Sequence, residues 1–431
     1  MRRFFVIILF NMLDIKFIRE NADLVRAAAK KKRVDFNVED LLKIDDERLK
    51  LMQEVQALRS EQNKLGEELA RNKTPELLEK LKELKVKFKT GEEALRELMT
   101  SWQKLMLQVP NIPDISVPDG ESDADNQEIK TWGEKPKFDF TPKDHIELMT
   151  KLNLLDLERG TKVAGFRGYV LKNAGVTLSM AIWRMALDFF SQKGFTPIIV
   201  PSLVKRENLL GTGFLPQSEE DLYKTQDADY LAGTAEVATM GLHGDEILEL
   251  ADLPVKYLAF SPCFRREAGS HSRDVKGLIR VHEFYKLEQV TLCAADHNLS
   301  VQEHEALNRN TEEFIELLGI PYRTVVNCGG DLGLGQVKKY DIELWVPLEG
   351  KYREISSASY FHDFQTRRLN IRYRDGEDGK LKYAHSLNST AIPTPRILVS
   401  LIENYQQADG SIKLPEALAK YLGYAVIGPT V

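Results

Sequence analysis

A hydrophobic repeat stepping by alternating threes and fours runs from Val38 to Leu107, and it constrains the fold more than any other feature. Leu41, Ile44, Leu51, Val55, Leu58, Leu65 and Leu69 form one seam. Leu77, Leu81, Leu84, Phe88, Leu95, Leu98, Trp102 and Leu105 form a second. Glu, Lys and Arg fill most other positions, the pattern of helices that bury one narrow stripe. Arg48, Gln62 and Gly91 interrupt the stripe, and Gly91 is expected to bend or soften it. Between the runs, Thr74 suits an N-cap, Pro75 the first helical position and Glu76 the first turn. The spacing therefore predicts two helices folded back as an antiparallel hairpin about 50 Å long.

The charge of this arm differs from that of the chain. Residues 30–104 carry 18 basic and 16 acidic side chains, and Lys30-Lys31-Lys32-Arg33 leads in, whereas the whole chain has a net charge of −6. A globally basic nucleic-acid coat is excluded, but a local basic surface is not. On pattern alone the charged faces fit a solvated coil, a probe for a nucleic-acid backbone or a dimerisation coil. Three scattered cysteines, Cys263, Cys293 and Cys328, are too few for a disulfide framework or a Cys-rich zinc site; they favour a reducing, cytoplasmic setting with no zinc. No stretch reaches the roughly 18 apolar residues of a membrane span.

The chain divides into an apolar extension at 1–11, the helical arm at 12–109, a Pro- and Asp-rich linker at 110–131 and a large domain at 132–431. The extension has a charged start and an apolar middle but no small-residue cleavage site, so the folded chain is expected to begin at Met12. In the large domain, strand patterns at 196–200, 255–260, 280–291, 340–346 and 353–360 dominate, and helical patterns at 178–193, 297–318 and 396–407 separate some of them. Runs of strands with segregated helices predict an α+β domain with a largely antiparallel sheet. No GxxxxGK[ST] and no strand–GxGxxG–helix is present, which argues against P-loop and Rossmann chemistry.

Phosphate chemistry has another candidate. Cys263-Phe264-Arg265-Arg266-Glu267-Ala268-Gly269 and Gly277-Leu278-Ile279-Arg280-Val281-His282-Glu283-Phe284-Tyr285-Lys286-Leu287-Glu288 read as a hairpin with a long polar loop. A guanidinium at a strand end can hold phosphate or carboxylate bidentately. A glutamate can accept an exocyclic amine, and Phe284 offers a face to a base. Taken alone, the same residues also fit a surface hairpin with paired charges.

This hairpin closely resembles motif 2 of class II aminoacyl-tRNA synthetases, in the form found in the bacterial-type seryl-tRNA synthetase family. Met12-Leu13-Asp14-Ile15, Gly211-Thr212-Gly213-Phe214-Leu215-Pro216, Thr234-Ala235-Glu236, Glu354-Ile355-Ser356-Ser357 and Glu403-Asn404-Tyr405-Gln406-Gln407 follow in that family's order. The resemblance implies an antiparallel catalytic domain behind a tRNA-gripping coiled-coil arm, and a ligase that joins L-serine to tRNA(Ser) through an adenylate made from ATP. It extends the acceptor to tRNA(Sec).

By the same resemblance, Arg265 bridges the serine carboxylate and the α-phosphate, and Arg396 holds the γ-phosphate. Arg266, Glu267, Val281, Phe284, Glu354, Ile355, Ser356 and Ser357 complete the ATP site, with Glu354 and Ser357 as Mg2+ ligands. Thr234, Ala235, Glu236, Arg265, Glu288 and Thr390 form the serine site. Glu288 reads the hydroxyl and is left open as a partner of the amine. Gly233 stands where a proline is usual, and Ala391-Ile392-Pro393-Thr394-Pro395 replaces a glycine-rich turn. Met185 to Leu203 resembles motif 1, which implies a homodimer. A noncatalytic paralogue would lack some of Arg265, Glu267, Glu354 and Arg396, and all four are present. A ligase loading a carrier protein would need no long arm.

Overall fold

The computed structural model describes residues 13–268, 274, 276–376 and 379–428. The apolar extension, Met12 and residues 269–273 of the hairpin loop lie outside the described residues. The chain forms two units, one up to Ile112 and one from Pro113.

In the first unit, short helices α1 (Ile15–Glu20) and α2 (Ala22–Lys31) precede the long helices α3 (Val38–Arg71) and α4 (Pro75–Met106). Asn37 caps α3 by accepting from the Glu39 amide. Thr74 caps α4 by accepting from the Leu77 amide at 3.3 Å, with Pro75 in the first turn. Three residues join the pair, so the helices return antiparallel. The core concentrates at the base, where Ile18, Val25, Val38, Leu41, Trp102, Met106 and Val109 pack together.

The seam interruptions have local causes. Arg48 stacks on Trp102 at 4.7 Å and pairs with buried Asp45 at 2.6 Å. Helix α4 runs unbroken through Gly91, and a Cβ there would lie 3.0 Å from Val55 Cγ2. This glycine admits the neighbouring helix and does not end a turn.

The second unit is built on eight strands: β1 (Gln127–Trp132), β2 (Thr196–Ile199), β3 (Val255–Phe264), β4 (Glu283–Cys293), β5 (Tyr322–Val326), β6 (Lys338–Val346), β7 (Lys351–Tyr360) and β8 (His385–Thr394). Their order across the sheet is β1-β5-β6-β7-β8-β4-β3-β2. Every pairing is antiparallel except β2 with β3. Two corrections follow. The stretch expected as a linker supplies edge strand β1 in its second half, because alternating Glu128, Lys130 and Trp132 pair with β5. Strands β5 and β8 are not among the segments the sequence pattern marks, although β8 lies at the centre of the sheet.

Helices α5 (Ala174–Gln192), α6 (Ala235–Gly241), α7 (His297–Leu317) and α8 (Arg396–Asn404) follow in chain order. Period two sorts strand β4. Leu287 enters the core with Leu178, Ile182, Phe190 and Phe314. Gln289, on the same face, donates to Leu307 O and Thr311 Oγ1 of α7 at 3.2 and 3.0 Å. Lys286 and Glu288 face the other way, into the site.

Two β-bulges shape that face. Glu343 opposes Glu354 while Ile342 opposes Ser356, so Ile355 is an extra residue in β7. Leu287 opposes Ile392 while Glu288 opposes Thr390, so Ala391 is extra in β8. Each bulge brings residues three apart onto one face: Glu354 with Ser357, and Thr390 with Pro393.

Candidate active site

The hairpin of β3 and β4 presents Arg265 just beyond the last β3 residue. Its amide donates to His282 O at 3.0 Å, and the His282 Nδ1–H donates back to Arg265 O at 2.9 Å. His282 is thus a backbone clamp. The Arg265 guanidinium lies 5.3 Å over the Phe284 ring, and its Nε donates to Gly233 O at 3.2 Å. At the far side of the loop, His145 accepts from the Leu278 amide through Nε2 at 3.3 Å, and its Nδ1 contacts Glu403 of α8 at 3.0 Å. Gly277 adopts φ +91°, and a Cβ there would meet His145 Nε2 at 2.5 Å. The return of the loop is therefore tied to helix α8.

Two depressions open on this face. One is lined by Arg265, Glu267, Ile279, Val281, Phe284, Lys286, Glu354, Ile355, Thr390, Pro393 and Arg396. The other is lined by Phe214, Thr234, Glu236, Arg265, Lys286, Glu288, Lys339, Glu354, Ser357, Asn388 and Thr390, among others. Arg265, Lys286, Glu354 and Thr390 belong to both, so the two spaces join at those side chains.

The first space carries the Arg265 and Arg396 guanidinium groups on its lining. Arg396 donates through Nε to Ile279 O at 2.9 Å and through Nη1 to Glu354 O at 3.1 Å. Glu267 is ion-paired with Arg280 at 2.9 Å and sits at φ +54°. Two residues expected here lie off its lining. Arg266 lines an adjoining depression with Phe166, Arg167, Tyr223, Glu267 and His282, and Glu267 belongs to both. Ser356 is 2% exposed and donates to Thr390 O at 2.6 Å; the bulge turns it toward α7 while Glu354 and Ser357 reach the pocket.

The second space is lined by buried carboxylates and hydroxyls. Glu236 is held by Gln365, whose Nε2 donates at 2.6 Å, and by Asn388. Burial pushes its pKa up to about 7. The two amide hydrogen bonds and nearby Lys286 pull it down, while Glu288 pushes it further up. Thr234 caps α6, accepting from the Glu236 amide at 3.3 Å, and Ala235 is buried behind it. Lys286, to which the sequence assigned no role, forms an ion pair with Glu288 and donates to Thr234 Oγ1 at 2.7 Å and Thr390 Oγ1 at 3.4 Å. It stood inside the quoted motif, two residues before Glu288, and period two alone would have put both on one face. Ser357 donates to Asp341 at 2.5 Å. Burial raises the Asp341 pKa to about 6, while Lys339 and the hydrogen bonds from Asn327 and Ser357 lower it.

Residues 12–113 match the family described as the seryl-tRNA synthetase N-terminal domain, and residues 222–405 match the tRNA synthetase class II core domain (G, H, P, S and T). A serine–tRNA ligase of Deinococcus radiodurans is 49% identical over 416 residues, which cover 96% of this chain and 98% of that one. The chain belongs to the seryl-tRNA synthetase family. Its fold agrees. The seryl-tRNA synthetase of Pyrococcus horikoshii, solved with ATP, superposes with a TM-score of 0.88 at 40% identity, covering 97% of this chain and all of that one. The cytoplasmic serine–tRNA ligase of Naegleria fowleri, solved with AMP, gives 0.85 at 31% identity, covering 98% and 100%. The class II core and the arm expected from the sequence are thus both present, and family membership makes the chain an aminoacyl-tRNA ligase.

Proposed function

We propose that the joined depressions activate L-serine with ATP and then transfer serine to the 3′ end of tRNA(Ser). The observation that carries this reading is the shared boundary at Arg265. One guanidinium reaches both a pocket lined by the Glu236 and Glu288 carboxylates and a cleft flanked by Phe284 and Arg396. In the first step a serine carboxylate oxygen attacks the α-phosphorus, and the bond to pyrophosphate breaks. In the second, a ribose hydroxyl of tRNA attacks the serine carbonyl and AMP leaves.

Arg265 stabilises the charge shared between carboxylate and α-phosphate, and its contact with Gly233 O limits its rotation. Phe284 and Val281 hold the adenine, and Glu267 accepts from its amine. Arg396 meets the γ-phosphate from the start of α8. Glu236, with Thr234 and Ala235, forms the ammonium side of the serine pocket, and Glu288 with Thr390 the hydroxyl side. A pocket of hydrogen-bonding groups rejects alanine by leaving them unpaired.

The Glu354 carboxylate and Ser357 hydroxyl fit Mg2+, since both are hard oxygen donors brought to one pocket by the bulge at Ile355. When bound, the ion neutralises phosphate charge.

The arm is assigned to the long variable arm of tRNA(Ser), read by shape and backbone charge. A homodimer is supported by exposed apolar side chains around the motif 1 helix and strand: Val176, Met180, Ile199 (84% exposed) and Leu203. The three cysteines are free and buried, in keeping with a cytoplasmic setting. The test is aminoacylation of tRNA(Ser) with and without its variable arm. Serine transfer that falls when the variable arm is removed is expected; indifference to its removal would overturn the arm's assignment. tRNA(Sec) is assayed alongside as a second long-armed acceptor.

A further inference from the structure

The serine pocket holds two buried carboxylates, and they are treated differently. Glu288, 2% exposed, is in contact with the Lys286 ammonium, itself 5% exposed. Glu236, 5% exposed, is held by the Gln365 and Asn388 amides and has no salt bridge among the described residues. Lys286 is also fixed from two further sides by Thr234 Oγ1 and Thr390 Oγ1. A buried charge is costly unless compensated. Glu288 already has its cation and needs only neutral donors. Glu236 has only amide donors and still calls for a cation.

We infer that Lys286 is a specificity-determining residue: by neutralising Glu288 it makes that carboxylate a reader of a neutral hydroxyl and leaves Glu236 as the seat of the substrate ammonium. This deepens, and rests on, the proposed serine activation. Counted across the pocket, Lys286 cancels Glu288, Arg265 meets the substrate carboxylate and Glu236 meets its ammonium. Of the other charged groups on the lining, Glu354 is assigned to Mg2+ and Lys339 pairs with Asp331 and Asp341, so a second cation on the substrate side chain meets a carboxylate, Glu288, that Lys286 already neutralises. An uncharged hydroxyl donates to Glu288 beside Thr390 Oγ1, which is itself 3.4 Å from Glu288 Oε2.

The discriminating substrate is L-2,3-diaminopropionate, which carries an amine in place of the serine hydroxyl. Pyrophosphate exchange is measured with both amino acids. Wild-type enzyme is expected to exchange with serine and to discriminate against diaminopropionate. In Lys286→Met, Glu288 is an uncompensated carboxylate, so the ratio of kcat/KM for serine over diaminopropionate should fall by about 100-fold or more. The double variant Lys286→Met, Glu288→Gln carries no unpaired charge, and its preference should swing back to serine. A folded Lys286→Met enzyme with the wild-type ratio would overturn the inference.

Where Lys286→Met does not fold, the double variant is compared with Glu288→Gln alone, in which Lys286 has lost its partner and repels the substrate ammonium. The double variant should use serine better than the single one, and the reverse order refutes the assignment. Wild-type enzyme without serine exchange removes the activation reading and this inference together. Wild-type exchange with an unmoved ratio removes this inference alone.

Discussion

Gln365→Met probes how the pocket controls the charge of Glu236. Gln365 is buried; its amide donates to Glu236 Oε1 at 2.6 Å and Thr212 O at 3.2 Å, and its carbonyl accepts from Ser386 Oγ at 2.7 Å. Methionine keeps the volume and removes the donor. A hydrogen bond to a charged group contributes about 1.5–3 kcal/mol, which at 1.36 kcal/mol per pH unit is about one to two units. The Glu236 pKa, already about 7, should therefore move to about 8–9. The sign is fixed by what the group must do. Only the carboxylate holds the serine ammonium, so serine kcat/KM should decline as pH falls below the pKa of the free enzyme. At pH 7 the variant should lose about 5- to 50-fold in serine kcat/KM, with ATP binding kept. The assay is pyrophosphate exchange at subsaturating serine from pH 6 to 9. An acid limb that stays at the wild-type position in a folded variant would refute the reasoning. Stability runs the opposite way with pH: the native state holds this proton above the ordinary carboxylate range, so the contribution of Glu236 falls as pH rises toward 7.

Three further outcomes are expected. Ser357→Ala should raise the Mg2+ concentration needed for half-maximal exchange, whereas Ser356→Ala should leave it unchanged and lower stability by about 1 kcal/mol; a Mg2+ titration with thermal unfolding separates the two. Gly277→Ala should destabilise the fold by about 2–3 kcal/mol, from left-handed backbone strain and the lost Leu278–His145 bond, read as a lower Tm; an unchanged Tm would remove the clamp. Affinity for tRNA should drop steeply as salt rises, and a flat dependence in filter binding would contradict an electrostatic arm.

The helical hairpin was legible because its period is long and its cap chemistry is local: Thr74 and Pro75 start the second helix without help from distant residues. Most strands of the large domain were legible from apolar runs. Strand β8 was not, because His385-Ser386-Leu387-Asn388-Ser389-Thr390 is small and polar with no clean alternation. Several of its polar groups find distant partners: the Ser386 hydroxyl meets Gln365, and the Thr390 carbonyl accepts from Thr311 and Ser356. Site residues carried by motifs came together as expected. Direction was less legible. Ser356 adjoins residues that line the pockets, and a bulge aims it away; Arg266 lines an adjoining depression that meets the first at Glu267. Such register shifts depend on which strand lies opposite, and that is not written locally. Lys286 was missed for a different reason. A lysine between hydrophobic strand residues looks like a surface charge until its carboxylate and hydroxyl partners, up to 104 residues away, are brought beside it.

Pyrophosphate exchange with serine, alanine and threonine side by side asks whether the two joined depressions form a serine-activating site. Exchange with serine, strong discrimination against alanine and loss in Arg265→Ala are predicted. A folded wild-type enzyme that exchanges with none of the three, or an Arg265→Ala variant that exchanges as well as wild type, would contradict a serine-activating site.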